Sequence, residues 1–179
     1  MAAYICFLRG VNVGGKGKVP MTELKTLFEG RLGFENVKTL LQSGNIVFTA
    51  KAKPVAAKIE AAIEKAFAYK SDVHVLTPAK LRKIIEDNPF PADAKKDPSH
   101  TVALIISQPP AADAEAKVAA LATKTEKFKI TPQAVYMSLH LTMADTKLAG
   151  APLDRALGVR GTARNWNTLN KLLALAEAL

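Results

Sequence analysis

The sequence predicts an α+β protein of two tandem ferredoxin-like units, each a βαββαβ plait with an antiparallel sheet, and an extra C-terminal helix. Three observations predict it. The first 77 residues change between strand-type and helix-type periodicity in the order β-α-β-β-α-β, turn residues punctuate each change, and the second half repeats the order without repeating the residues. The division predicted is residues 1–87, a first unit with a connecting helix, and residues 88–179, a second unit with a final helix.

The elements follow in order. Residues 3–9 (Ala-Tyr-Ile-Cys-Phe-Leu-Arg) form an apolar run that reads as a buried strand, and residues 10–19 are a loop rich in glycine and lysine. From Met21 to about Arg31, apolar Met21, Leu24, Leu27 and Phe28 keep helical spacing, with Pro20 near the start. Val37–Leu41 and Asn45–Thr49 read as strands joined tightly around Ser43-Gly44. Residues 54–69 form an alanine-rich helix opened by Pro54, and Asp72–Thr77 alternates as a strand. Pro78–Asp87 reads as the connecting helix, stopped by Asn88-Pro89-Phe90-Pro91, where two prolines end it. The second half offers a strand at His100–Ser107, a helix at Ala111–Ala122, strands at Lys127–Ile130 and Ala134–His140, a short helix at Ala151–Leu157, a short strand at Arg160–Arg164 and an amphipathic helix at Asn165–Leu179.

Composition narrows the class. Of 179 residues, 49% are hydrophobic and 23% charged, with 10 Gly and 10 Pro, which suits a folded globular chain and excludes disorder or a fibre. The single cysteine, Cys6, lies inside the first apolar run, so there is no disulfide framework and no thiolate cluster. No stretch approaches the roughly 20 apolar residues that span a bilayer, and the first residues lack a basic region followed by a long apolar stretch. A cytoplasmic protein without a membrane partner is the expectation. Net charge is +9, a surplus of six cations in residues 1–90 and three in residues 91–179, with no block of like charge. Such a surplus suits either a well-solvated surface or a polyanion partner.

Three segments carry a family resemblance. They are Leu8-Arg9-Gly10-Val11-Asn12-Val13-Gly14-Gly15 with Val19-Pro20-Met21, Leu32-Gly33-Phe34 with Gln42-Ser43-Gly44-Asn45-Ile46-Val47-Phe48, and Thr162-Ala163-Arg164-Asn165-Trp166-Asn167-Thr168. Together they resemble the bacterial domain of unknown function 1697 (DUF1697) family over essentially the whole chain. The resemblance implies two α-β plaits in tandem; it implies no established activity, substrate or cofactor. The chain departs from the family pattern at Leu40-Leu41, where a tyrosine followed by Ile or Val is common, and at Arg31, an extra residue before the Leu-Gly-Phe run.

Plait topology brings separate segments together. The loop after the first strand, the turn between the second and third strands and the connection into the fourth all fall at one end of the sheet, so Arg9, Asn12, Gly14, Gly15, Lys16 and Lys18 share a rim with Gln42, Ser43 and Asn45, near Tyr69-Lys70-Ser71. A glycine-rich loop leading to a helix offers backbone N–H groups to an anion, and the three cations lack an acid nearby in sequence. The string is neither a Walker loop nor the dinucleotide fingerprint. The same glycines also serve a turn at φ > 0, and Ser, Gly and Asn are what a tight hairpin requires. Arg164 and Asn165 open the last helix, with Asn165 or Asn167 as its N-cap, or else face the first unit's loop and clamp a ligand in a cleft between halves.

No catalytic constellation stands out. His74, His100 and His140 match no metal motif, Cys6 reads as a small core residue, and no base accompanies Ser43; no metal or cofactor is expected. Three readings remain: a binder of a small phosphate- or carboxylate-bearing ligand, a nucleic-acid binder using backbone phosphate contacts, and a structural or partner-binding protein. The first ranks ahead of nucleic acid, because the third strand lacks the aromatic segment of RNA-recognition sheets and aromatics are 6% of the chain. Nothing in the sequence speaks to oligomeric state.

Overall fold

A computed structural model describes residues 1–15 and 17–179. It is an α+β structure with two four-stranded antiparallel sheets, and the chain divides into two compact units, residues 1–83 with 170–179, and residues 84–169. This differs from the predicted boundary at 87/88. The connecting helix is divided, and the last ten residues join the first unit, where Glu177 accepts an ion pair from Arg82.

In the first unit the order is β1 (Ala2–Leu8), α1 (Met21–Thr26), β2 (Glu35–Leu40), β3 (Asn45–Ala50), α2 (Ala56–Phe67) and β4 (Val73–Leu76), with strand order β2-β3-β1-β4. Tyr4, Cys6 and Leu8 of β1 and Ile46 and Phe48 of β3 pack with Leu24, Phe28, Ile59 and Ile63 from the helical segments. Phe48 stacks on Tyr4 and on Phe34, and meets Phe28 edge-on. The alternate residues Ile5, Phe7 and Val47 are buried as well. A strand buried on both faces reads as a continuous apolar run instead of an alternation, which is what Tyr4–Leu8 shows.

After α1 the helix continues as a π-helical turn, Leu27–Arg31, closed by Leu32 N–H to Leu27 O at 3.1 Å and Phe34 N–H to Phe28 O at 3.0 Å. One added residue in an α-helix is accommodated by such a widened turn. Arg31, the extra residue relative to the family pattern, stands in it.

The second unit holds α3 (Pro78–Glu86) in part, then α4 (Pro91–Lys96), β5 (Thr101–Ile106), α5 (Ala114–Ala119), β6 (Lys127–Ile130), β7 (Ala134–Ser138), α6 (Gly150–Leu157), β8 (Gly161–Asn165) and the start of α7 (Trp166–Glu177). The strand order, β6-β7-β5-β8, is the order of the first sheet. Helix α4 lies where the sequence suggested only a connector. Pro91 occupies its first turn, where a missing N–H costs nothing, so the second proline starts a helix. Two polar anchors hold this unit. The Tyr136 hydroxyl donates to Ile84 O at 2.9 Å, and buried Glu126 accepts hydrogen bonds from Thr146 Oγ1 and from Thr123 N–H and Oγ1. Burial alone pushes the Glu126 carboxyl up; the hydrogen bonds from Thr146 and Thr123 outweigh it and hold the group below its ordinary range.

Candidate functional site

The β1–α1 loop, the β2–β3 turn and the α2–β4 connection meet at one end of the first unit's sheet. Leu8 N–H donates to Gly44 O at 2.8 Å, Arg9 N–H to Asp72 O at 3.0 Å, Ser71 Oγ to Arg9 O at 2.8 Å and Tyr69 Oη to Gly10 O at 2.9 Å. These four bonds, two between backbone groups and two from side-chain hydroxyls to backbone carbonyls, join the three segments into one hydrogen-bonded piece.

Asn12 is its central fastener. Its Nδ2 donates to Val19 O at 2.9 Å and to Gln42 O at 2.7 Å, while Oδ1 accepts from Val19 N–H at 2.9 Å. Its own N–H reaches Gly17 O at 2.9 Å. The backbone sits at φ 55°, a left-handed position that asparagine tolerates better than most residues. Asn12 was read from sequence as a ligand contact. Both of its amide hydrogens already have backbone acceptors, so it closes the loop and ties it to the hairpin. Asn45 is similar. It is fully buried, and its Nδ2 donates to Leu40 O and to Ser43 Oγ, each at 3.0 Å, so its amide shapes the turn and has no access to solvent.

The rim glycines divide by what surrounds them. A Cβ on Gly44 would lie 2.5 Å from Val11 Cγ2 and 2.7 Å from Leu8 Cβ, and one on Gly17 would lie 2.6 Å from Tyr69 Cζ. These two are required by close packing. Gly14 and Gly15, at φ 60° and 75°, have no atom within 4 Å of such a Cβ. They form the exposed tip of the loop, and exposed Lys18 and Gln42 stand on the same rim. Lys16, also singled out from the sequence, lies outside the described residues. Val13 and Leu41, next to Asn12 and Gln42, are exposed apolar side chains, and Leu41 holds φ 60°.

Arg9 is more enclosed than the sequence suggested. Its side chain is 19% exposed and its Nε lies 4.0 Å from Asp72 Oδ2. No acid stands near Arg9 in sequence; Asp72, 63 residues further on, arrives through the fold, immediately before β4, which pairs with β1.

Arg164 and Asn165 belong to the second unit, in β8. Arg164 Nη1 donates to Thr162 Oγ1 and to Ala163 O, each at 2.8 Å. Asn165 Oδ1 accepts from Thr168 N–H at 3.0 Å, which makes it the N-cap of α7 and settles the choice against Asn167, whose Nδ2 instead reaches Ser99 Oγ. Trp166 is buried behind the cap.

Among the described residues there is no group of three His, Cys, Asp or Glu able to hold a metal. Nor is any helix among them long and apolar enough to cross a membrane. The arrangement defines an α+β protein that carries a braced glycine loop at one sheet end. The chain belongs to the family described as protein of unknown function (DUF1697), whose model matches residues 1–136. It is similar in structure to a conserved bacterial protein from Streptococcus pneumoniae, with a TM-score of 0.70 and 24% identity over 97% of this chain and 98% of that one. At that identity the likeness is one of fold. No curated protein matches the sequence.

Proposed function

We propose that the protein binds a small anionic ligand, bearing a phosphate or a carboxylate, at the rim of the first unit, and that each unit is a ferredoxin-like plait. The plait reading is supported by the repeated element order β-α-β-β-α-β and by the shared strand order, read as 2-3-1-4 in each sheet.

The observation that carries the ligand reading is the contrast among the glycines. Gly44 and Gly17 are explained by packing, whereas Gly14 and Gly15 are held at an exposed tip by a loop that Asn12 and Tyr69 brace from below. A braced loop with exposed amides binds without first having to be ordered, and consecutive amides in a turn can converge on one anion. Lys18 supplies positive charge at the tip, and Arg9 supplies it from beneath, moderated by Asp72. The role proposed is binding and electrostatic stabilisation.

Nucleic acid ranks second on a specific ground. RNA-recognition sheets stack bases on an open strand face, whereas Tyr4, Ile5, Phe7, Val47 and Phe48 in β1 and β3 are all buried.

A thermal-shift screen against inorganic phosphate, nucleotides, phosphorylated sugars and short RNA tests the reading. A rise in melting temperature with one small anion, retained at physiological salt and reduced in Lys18→Gln, is expected. A rise with RNA alone, abolished by salt, contradicts it.

A further inference from the structure

At the opposite end of the same sheet, a second feature stands apart from the rim. A cavity of about 350 Å³ opens between the Leu32–Glu35 segment that enters β2 and the Ala50–Ile59 segment that links β3 to α2. Its size is at the small end of the roughly 300–1,000 Å³ typical of ligand sites, enough for a single-ring molecule.

Its lining has two characters. The apolar part comes from Phe34, Val55 and buried Ile59. Phe34 has its ring stacked on Phe48 at a centroid distance of 4.3 Å, which fixes its plane, and its remaining surface lines the cavity. Gly33, at φ 66° with no atom within 4 Å of a notional Cβ, leaves the mouth beside Phe34 unobstructed. The charged part is cationic. Lys51, Lys53 and Lys58 line the cavity against one acid, Glu35, and none of the three lysines has an ion pair or side-chain hydrogen bond among the described residues.

The geometry points to a second binding site here, for an aromatic anion: one planar ring lying on Phe34 with a phosphate or carboxylate directed to the lysines. A fixed aromatic plane favours an offset-stacked ring, at ring-centroid separations of roughly 4.5–7 Å. Three ammonium groups against one carboxylate favour a negative head group and disfavour a neutral or cationic analogue. The floor supplies contact area and the lysines supply discrimination, the division of labour usual in small-molecule sites. This site is independent of the rim, and either can fail without the other.

Ligand-observed fluorine NMR with para-fluorophenyl phosphate and para-fluorobenzoate, and with para-fluorophenol as the neutral control, tests it on the intact chain. Both anions are expected to bind at millimolar concentration and the phenol not. The Lys51→Gln/Lys53→Gln/Lys58→Gln variant should weaken binding roughly tenfold, about 1.4 kcal/mol. Because all three lysines are exposed, their removal leaves the fold intact. Val55→Trp, at a half-exposed lip, should block the ring without altering charge. Lys18→Gln should leave in place the preference for the aromatic anions over the phenol, and the component of binding that the triple variant removes. No binding of either anion, equal binding of the phenol, or weakening by Lys18→Gln but not by the triple variant would each overturn the assignment; the last would return the anion to the rim.

Discussion

Replacing Asn12 by alanine should loosen the whole rim, and the size of the effect can be worked from its bonds. The side chain makes three hydrogen bonds to backbone at 2.7–2.9 Å. Each contributes about 0.5–1.5 kcal/mol net, and those nearer solvent fall at the low end because water replaces the partner. Alanine at φ 55° adds roughly 1 kcal/mol of backbone strain. The expected loss is about 2.5–4 kcal/mol, or roughly 5–16 °C in melting temperature for a chain of this length. Asn12→Gly separates the two terms, since glycine lacks the strain but also lacks the bonds; it should be milder than alanine by about 1 kcal/mol. Hydrogen exchange at the Val19 amide, which donates to Asn12 Oδ1, reads the event locally: protection should drop in both variants. Unchanged protection at Val19, with a stability loss below about 0.5 kcal/mol, would refute the idea that Asn12 closes the loop.

Other positions give sharper contrasts. Gly44→Ala should cost more than 3 kcal/mol, because its Cβ meets Val11 and Leu8 at 2.5 and 2.7 Å, whereas Gly14→Ala should cost only about 1 kcal/mol from its φ; paired urea melts compare them. Glu126→Ala should destabilise by about 1–3 kcal/mol, since Thr146 loses its buried acceptor. Because the folded Glu126 carboxyl is held below its ordinary 4.5, its contribution is present above that pH and fades as pH falls through the lowered value, so wild type and Glu126→Ala should converge in acid melts. Tyr136→Phe should cost about 1–2 kcal/mol, and in the wild type burial, with Asp87 adding to it, pushes this phenol up to about 12, so alkaline ultraviolet titration should show a late-ionising phenol that Tyr136→Phe removes.

Much of the architecture was legible because local signals and topology agree. The Tyr4–Leu8 run, the Ser43-Gly44 turn and the Lys127–Ile130 strand could be read directly, and element order alone was enough to bring residues 9–18, 42–45 and 69–71 to one sheet end. Helix α4 was not legible, because a proline that ends one helix and a proline that starts another look alike until the backbone places Pro91 at N1. The predicted helix at Ala111–Ala122 contracts to Ala114–Ala119, since residues 111–113 form a turn after the prolines.

The meeting of these three segments was legible, and the bonds their side chains make were less so. Asn12, Asn45 and Gln42 are residue types that serve a ligand or a turn equally well, and the choice depends on which carbonyls their amides face, which periodicity does not encode. Asp72 is silent in sequence for a different reason, since its approach to Arg9 depends on β4, distant in sequence, pairing with β1 as the edge strand of the sheet. What the sequence showed of Asn165 was correct in type: an asparagine before an amphipathic run reads as a cap, and the Thr168 N–H confirms it.

The most direct test of the central proposal is an amide NMR titration of the isotopically labelled protein with inorganic phosphate and with a nucleoside monophosphate. The account predicts saturable shifts at Gly14 and Gly15, reduced in Lys18→Gln, with the Gly44 amide little affected because it is packed beneath the turn. Titrations that leave the Gly14 and Gly15 amides unmoved while phosphate reaches millimolar concentration would contradict it, and would leave the braced loop as a structural closure of the sheet end.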